Sequence, residues 1–435
     1  MKVLKFGGTS LGTAERMKSV ANIINNEERK IVVLSAMSGT TNTLIEITDN
    51  LYKKENKKAT ELIKNLEKDY LTVVDELFTN LEYKQKGIEL INNHFDYISS
   101  FTRDLFSIHE EKAVLAQGEL ISTALFHNYL LEHKINSVLL PALNFMRINT
   151  NTEPDNYYIE ENLKRELSKY KECNLFITQG YICRNLYGEI DNLKRGGSDY
   201  SASLIGAALE VEEIQIWTDI SGFHNNDPRY VKNTHPIPYL SFDEAAELAY
   251  FGAKILHPSS VFPAKLKDIQ VHLKNTLNPS DPGTIIKSGA EGKGIKGVAV
   301  KDGITVIKIK SGRMLLAYGF MRKVFEVFES YKTPIDMITT SEIAVSVTID
   351  NKKYLDQIVA ELNKYGNVEV NDDMVILCVV GHNIIDQKGY INKVFEALKN
   401  FSIRMISFGG SRHNISILIK SNDKKDALIS LNDLF

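Results

Sequence analysis

Met1-Lys2-Val3-Leu4-Lys5-Phe6-Gly7-Gly8-Thr9-Ser10 runs a short apolar strand into two glycines and two hydroxyl residues, after which a helical pattern begins. Paired glycines let backbone N–H groups come close to an anion, and a succeeding helix N-terminus adds positive potential. Lys5 closes the strand, where its ammonium reaches the same anion. A plain strand, tight turn and capped helix would read the same way, so the stretch acquires meaning only from the rest of the chain.

Beyond Ser10 strands and helices alternate. Thr13–Asn25 reads as a helix. Strands are expected at Lys30–Ser35, Ser137–Leu140, Asn174–Gln179, Glu213–Thr218 and Ile269–Leu273. Continuous apolar strands between helices predict a mostly parallel sheet covered on both faces. In such sheets ligands sit at the carboxyl ends of the strands, and Gly7-Gly8, Ser35–Gly39 and Thr218-Asp219 all fall there. From about Lys53 to Ser107 the pattern changes. Leu62, Leu66, Tyr70, Val73, Leu77 and Leu81 recur at helical spacing among Lys, Glu and Asn, which predicts an inserted helical hairpin with one apolar face.

The chain has 435 residues, 43% apolar and 25% charged, with a net charge of −3. This size requires more than one domain, and the charge gives no support for nucleic acid or an anionic membrane as partner. Lys2 and Lys5 are not succeeded by a long apolar run, so no secretory signal is expected. Cys173, Cys183 and Cys378 form neither a zinc spacing nor a disulfide framework, which points to a reducing, cytoplasmic compartment. Asn278-Pro279-Ser280-Asp281-Pro282-Gly283 and the glycines up to Gly297 mark a boundary. Beyond it Gly319–Phe328 matches Gly389–Leu398, and Ile335–Ile338 matches Ile403–Ile406. Each unit reads strand, helix, strand, strand, and two such units are expected to pack side by side or against another chain.

The densest chemical constellation is Lys194-Arg195-Gly196-Gly197-Ser198-Asp199-Tyr200, ahead of a helix expected over Ser201–Leu209. Ser198 or Asp199 could simply cap that helix. An Arg fork beside two glycines suits carboxylate recognition. Trp217-Thr218-Asp219, with His224, Asp227 and Arg229 beyond, fits either a surface loop or a nucleotide loop. Lys254, in Gly252–Pro258, adds a cation, whereas His257 reads as structural. Gly118-Glu119 lies inside a helical pattern, where the glycine suggests a break or a close approach. Ser35–Asn42 ends a strand with small hydroxyl residues. There is no P-loop and no H-R-D loop, and no metal-ligand spacing.

KFGGTS at Lys5–Ser10, Gly118-Glu119, RGGSDY at Arg195–Tyr200, Trp217–Asp219 with Asp227–Arg229, and Gly252–Pro258 stand in the order found in aspartate kinases. The tail repeat resembles the tandem ACT domains of the same family, and the monofunctional, lysine-sensitive type resembles it best. The resemblance implies an amino acid kinase fold, a mostly parallel sheet between helices, over residues 1–290 with the insertion at about 53–107. It implies two α+β ferredoxin-like ACT units at about 303–368 and 372–435 within a regulatory region 298–435. No fused homoserine dehydrogenase is expected after Phe435. The implied reaction joins L-aspartate and ATP, with Mg²⁺, to give 4-phospho-L-aspartate and ADP, the first step toward lysine, threonine and methionine.

By motif position, the resemblance makes Lys5, Asp199 and Lys254 catalytic. Ser38, Thr41, Glu119, Arg195, Gly196, Gly197 and Ser198 would hold aspartate. Lys5, Gly7, Gly8, Thr9, Thr218, Asp219, His224, Arg229, Lys254 and Ile255 would line the ATP site. Met314, Ala317, Phe320, Met321, Pro334, Ile335, Asp336, Ser341 and Glu342 match the effector region, where the two carboxylates favour lysine over threonine. Three positions depart from the family pattern. Lys194 stands where a small residue is usual, His224 where an aromatic is usual, and Ala317 where close relatives carry serine. A homodimer or dimer of dimers through the ACT units is implied. Two other readings use the same residues: another amino acid kinase acting on acetylglutamate, glutamate or UMP, and a catalytically inactive amino-acid sensor.

Overall fold

The computed structural model describes residues 1–103, 105–194, 196–252, 256–289, 294–312 and 318–435. In chain order its elements are β1 (Lys2–Phe6), α1 (Ala14–Ile24), β2 (Lys30–Leu34), α2 (Thr40–Tyr52), α3 (Asn56–Leu77), α4 (Leu81–Ser100), α5 (Ile108–Glu132), β3 (Val138–Leu140), α6 (Asn156–Ser168), β4 (Leu175–Gln179), β5 (Ile182–Arg184), β6 (Ile190–Asn192), α7 (Gly197–Leu209) and β7 (Glu213–Thr218). Then come β8 (Tyr239–Leu240), α8 (Phe242–Tyr250), α9 (Phe262–Leu266), β9 (Gln270–Asn275), β10 (Thr284–Ile286), β11 (Gly294–Lys310), α10 (Phe320–Ser330), β12 (Ile338–Thr340), β13 (Ala344–Ile349), α11 (Leu355–Leu362), β14 (Asn367–His382), α12 (Tyr390–Ala397), β15 (Met405–Phe408), β16 (Asn414–Lys420) and α13 (Lys424–Asn432).

The chain forms two units. The first comprises Met1–Gly222, Pro238–Phe242 and Ile255–Ala290. Its eight-stranded sheet has the order β3-β4-β2-β1-β7-β9-β10-β8. β1 pairs in parallel with β2 and β7, and β10 is antiparallel to β9. Ile31, Val32, Val33 and Leu34 of β2 are all fully buried, as a strand covered on both faces must be. Each contributes roughly 1.5–3 kcal/mol over an exposed side chain. The inserted α3 buries Ile63, Leu66, Tyr70, Val73 and Leu77. The Tyr70 hydroxyl reaches Thr40 Oγ1 at 2.9 Å, which ties the insertion to the first turn of α2.

Between β1 and α1, Gly8–Leu11 forms a 3₁₀ turn, and α1 starts after its N-cap, Thr13, as expected. Ser10 is buried, its hydroxyl 2.7 Å from Thr276 Oγ1, so it is spent on structure. α7 begins at Gly197, four residues earlier than expected, which puts Ser198 and Asp199 inside its first turn rather than at the cap. α5 runs unbroken through Gly118, where a Cβ would lie 2.8 Å from that of Ala36. That glycine therefore marks a close approach and not a break.

The second unit comprises Phe223–Ile237, Asp243–Lys254 and Glu291–Phe435. Two segments inside the expected 1–290 domain thus cluster with the tail. Its six-stranded sheet has the order β12-β13-β11-β14-β16-β15. The repeats lie side by side, joined by the antiparallel β11–β14 ladder, and each ends in an additional helix, α11 or α13. The matched Gly319 and Gly389 are the N-caps of α10 and α12, at φ of 83° and 87°. Separate apolar clusters support the two repeats, around Val324 and Phe328 in one and Val394 and Leu398 in the other.

Candidate active site

At the carboxyl ends of β1 and β2 the first unit opens a cleft of about 680 Å³. Its walls bring together Lys5, Gly8, Thr9, Ser38, Thr41 and Glu119 with Gly196–Asp199. These residues come from separate segments of the chain. Gly8 is required by the close approach of the two strand-end loops, since a Cβ there would lie 2.9 Å from the Ala36 carbonyl oxygen. Gly196 occupies the left-handed region at φ 73° and is the N-cap of α7, with no side-chain cap. It turns the chain so that the first turn of α7 faces the cleft.

Lys5 Nζ lies 2.6 Å from Asp199 Oδ1, and both side chains are 12% exposed. The carboxylate fixes the direction of the ammonium, and its own charge is balanced by it. Glu119 is 3% exposed in the middle of α5. Its Oε1 accepts the Ala36 N–H at 3.2 Å, whereas Oε2 is buried and has no hydrogen-bond partner. Burial pushes its carboxyl up to about 8, against the opposing pull of the Ala36 N–H, its own N–H and Lys5. A desolvated carboxylate with one unused oxygen is a strong acceptor for an ammonium group.

Other expected residues are placed differently. Thr218 ends β7 in the first unit and Asp219 follows it, with the Thr218 hydroxyl donating to Asp219 at 3.1 Å. His224 and Arg229 belong to the second unit. There His224 Nδ1 lies 3.2 Å from Thr234 Oγ1, and the Arg229 guanidinium grips Asp227 through both Nε and Nη2. Arg195, Lys254, Ile255, Met314 and Ala317 lie outside the described residues.

In the effector region, Phe320 is buried at the start of α10. Met321 and Ile335 are half-buried, while Pro334, Ser341 and Glu342 are exposed. The Asp336 carboxylate is almost wholly buried. Its Oδ1 takes the Lys301 ammonium and the Tyr250 hydroxyl, and its Oδ2 is buried without a hydrogen-bond partner. Lys301 also reaches Asp350 at 3.0 Å.

Sequence reasoning missed Tyr181, which lines the cleft at φ 65° with its N–H donated to Ser201 Oγ. No local signal marks it, because an aromatic residue is held at positive φ only by tertiary contacts. Lys194, already noted as unusual, also lines the cleft at φ 61°, its ammonium 3.0 Å from the Thr152 hydroxyl.

The sequence profile of the amino acid kinase family matches residues 1–275, and that of an ACT domain matches residues 377–435. Aspartokinase 2 of the Arabidopsis thaliana chloroplast is 34% identical, over all of this chain and 84% of that protein. Lysine-sensitive aspartokinase 3 of Escherichia coli K12 is 30% identical, over 99% of this chain and 98% of that one. Among solved structures, E. coli aspartokinase III with lysine and aspartate superposes with a TM-score of 0.86 at 30% identity, covering 100% of this chain and 99% of that chain. The same enzyme with aspartate and ADP gives 0.84, with the same identity and coverage. With its kinase-family profile, its ACT match and relatives 30% and 34% identical over 98% and 84% of their length, the chain belongs to the aspartokinases of the amino acid kinase family.

Proposed function

We infer that the chain catalyses ATP-dependent phosphorylation of the side-chain carboxylate of L-aspartate. The observation that carries this reading is the convergence, in one cleft, of the Lys5–Asp199 ion pair and the buried Glu119 with its unused oxygen. A side-chain carboxylate is already ionised at neutral pH, so the nucleophile needs no general base. The difficulty is to bring two anions together while charge spreads over the phosphoryl oxygens. Positioning and positive charge supply the catalysis. Lys5 meets the transferring group, and Asp199 aims Lys5 rather than accepting a proton. Lys254 adds a second cation. Glu119 takes the α-ammonium of aspartate and Arg195 its α-carboxylate, with Ser38, Thr41 and Gly196–Ser198 around them. Gly7, Gly8, Thr9, Thr218 and Asp219 line the nucleotide side.

The chain offers few carboxylates for Mg²⁺ here. Among the described residues, Asp199 is paired with Lys5, and Asp219 immediately follows β7. That fits an ion arriving on the nucleotide and keeping phosphate and water ligands. Bound Mg²⁺ would neutralise phosphate charge.

Trapping the product as the hydroxamate tests the reading: ATP-dependent turnover with aspartate, and none with acetylglutamate or glutamate, is expected. Turnover with another acidic substrate alone would overturn it. Arg195→Ala is expected to raise the aspartate KM by about 100-fold while the ATP KM changes less than about threefold, since a charged hydrogen-bonded pair contributes about 1.5–3 kcal/mol. The reverse pattern would displace Arg195 from the aspartate subsite.

Lysine is the effector that the tail suits. In the structure a lysine side chain of the protein itself, Lys301, already occupies Asp336. The carboxylate therefore stands in an ammonium-binding setting, with Oδ2 still unused. Lys301→Met leaves Asp336 buried and uncompensated, which costs stability that an effector ammonium restores. Free lysine is accordingly expected to raise the melting temperature of Lys301→Met more than that of the parent chain, and to inhibit it at lower concentration. Equal thermal shifts would remove Asp336 from the effector site. Association through the ACT units as a homodimer or dimer of dimers, and a cytoplasmic location, complete the reading. Among the described residues no helix is long and apolar enough to cross a membrane.

A further inference from the structure

The second unit holds a cluster that neither the proposed reaction nor the effector site uses. Glu244, in the first turn of α8, is fully buried. His382 ends β14, and His413 immediately precedes β16. The sheet register brings the two histidines together: Val380 pairs with Asn414, and the Gly381 N–H donates to the His413 carbonyl at 2.9 Å. α8 is fixed beside them by Glu247, whose carboxylate accepts the Asn414 side-chain amide. One ligand atom from each of Glu244, His382 and His413 lies within 4.8 Å of the other two.

The spacing of these atoms suits a metal ion as well as an ion pair. Glu244 Oε2 faces Lys296 Nζ at 3.1 Å, which turns Oε1 toward His382 Nδ1 at 3.4 Å. His382 Nδ1 is buried and makes no hydrogen bond. Two donors bound to one tetrahedral zinc at about 2.0–2.1 Å stand about 3.3–3.4 Å apart. The Glu244–His382 separation already has that value. An ammonium holding the second oxygen is the outer support a monodentate metal carboxylate commonly has. His413 needs a closure of at most about 1.5 Å to reach the same distance. Its ring accepts the Asn383 N–H at Nδ1 over 3.4 Å, at the weak limit for a hydrogen bond. Both histidines are partly exposed, so solvent can deliver the ion.

We propose that Glu244, His382 and His413 form a site for a divalent transition-metal ion of the zinc class, pinning α8 to the end of the ACT sheet. Two imidazoles and one carboxylate select borderline ions such as Zn²⁺ or Co²⁺ over Mg²⁺, and leave an open position for water. α8 leads directly into the segment that contains Lys254, so the ion fixes the helix from which that segment departs.

The test uses the full chain, stripped with a chelator and then titrated with Zn²⁺ against a chromophoric competitor. The expected result is one tight equivalent per chain that Mg²⁺ does not displace. Co²⁺ loading should give visible d–d absorption of a tetrahedral N/O site without a thiolate charge-transfer band. His413→Gln and His382→Gln, each with an unchanged circular-dichroism spectrum, should weaken zinc binding by about 100-fold or more. Zinc uptake by both variants equal to that of the parent chain overturns the proposal, as does a thiolate band, which would assign the ion to the buried cysteines. Because binding is read without turnover, failure here leaves the kinase reading intact.

Discussion

Lys5→Met is expected to lower kcat for aspartyl phosphate formation by about 10³, with both KM values changed far less. Removing one preorganised donor aimed at developing charge costs about 10²–10³ in rate. Lys5 is at the upper end because it carries a full charge in a cleft where it is only 12% exposed. The substitution also strips Asp199 of its partner, and an uncompensated buried carboxylate is destabilising by about 3–5 kcal/mol. Loss of activity could therefore reflect loss of fold. The double variant Lys5→Met/Asp199→Asn separates the two: its melting temperature should return toward that of the parent chain while kcat stays low. Asp199→Asn alone should lower kcat by about 10–100-fold, since the ammonium remains but loses the group that aims it at 2.6 Å. A Lys5→Met chain that keeps kcat within about tenfold of the parent would remove Lys5 from the reacting centre.

Much of this site is legible in the sequence because its motifs are local. KFGG ends a strand whose apolar run is unmistakable, and RGGSD packs its glycines, hydroxyl and carboxylate into consecutive positions. The start of α7 departs from its sequence reading for a physical reason. Gly and Ser are poor helix formers and good boundary residues, so Gly196–Ser198 reads as the approach to a helix. In the structure the left-handed Gly196 turns the chain into α7, and Asp199 gains its aim at Lys5 from already being helical. The features invisible in the sequence depend on partners far apart along it. Lys301 meets Asp336 across the repeat, and Glu244 meets His382 and His413 only after the sheet has formed. Metal-ligand spacing describes neighbours along the chain, so it cannot register three residues delivered by separate segments.

Aspartate binding is expected to release a proton below pH 8, and the aspartate KM to rise about 50-fold between pH 8 and pH 6. Glu119 sets this window. Its carboxyl is pushed up to about 8 by burial, the largest influence on it, which outweighs the Ala36 N–H, its own N–H and Lys5. Below that value the free protein holds Glu119 protonated, whereas an α-ammonium group is best bound by the carboxylate. Each pH unit below 8 then costs up to about tenfold in apparent affinity. The sign for stability runs the other way. Between its ordinary value near 4.5 and about 8 the folded chain binds more protons than the unfolded one, so Glu119 makes the free protein less stable as pH rises through that range. Aspartate should reverse this loss, giving a thermal shift that is larger at pH 8 than at pH 6. Calorimetry at pH 7 in two buffers of different ionisation enthalpy reads the released proton directly. Glu119→Gln should flatten the pH dependence and raise the aspartate KM at pH 8 by about 10–100-fold, the range for loss of a charged hydrogen bond. A KM that is flat from pH 6 to 8, with no proton released, would mean that Glu119 does not face the substrate ammonium. Its unused oxygen would then be an internal strain of α5 rather than the recognition element of the cleft.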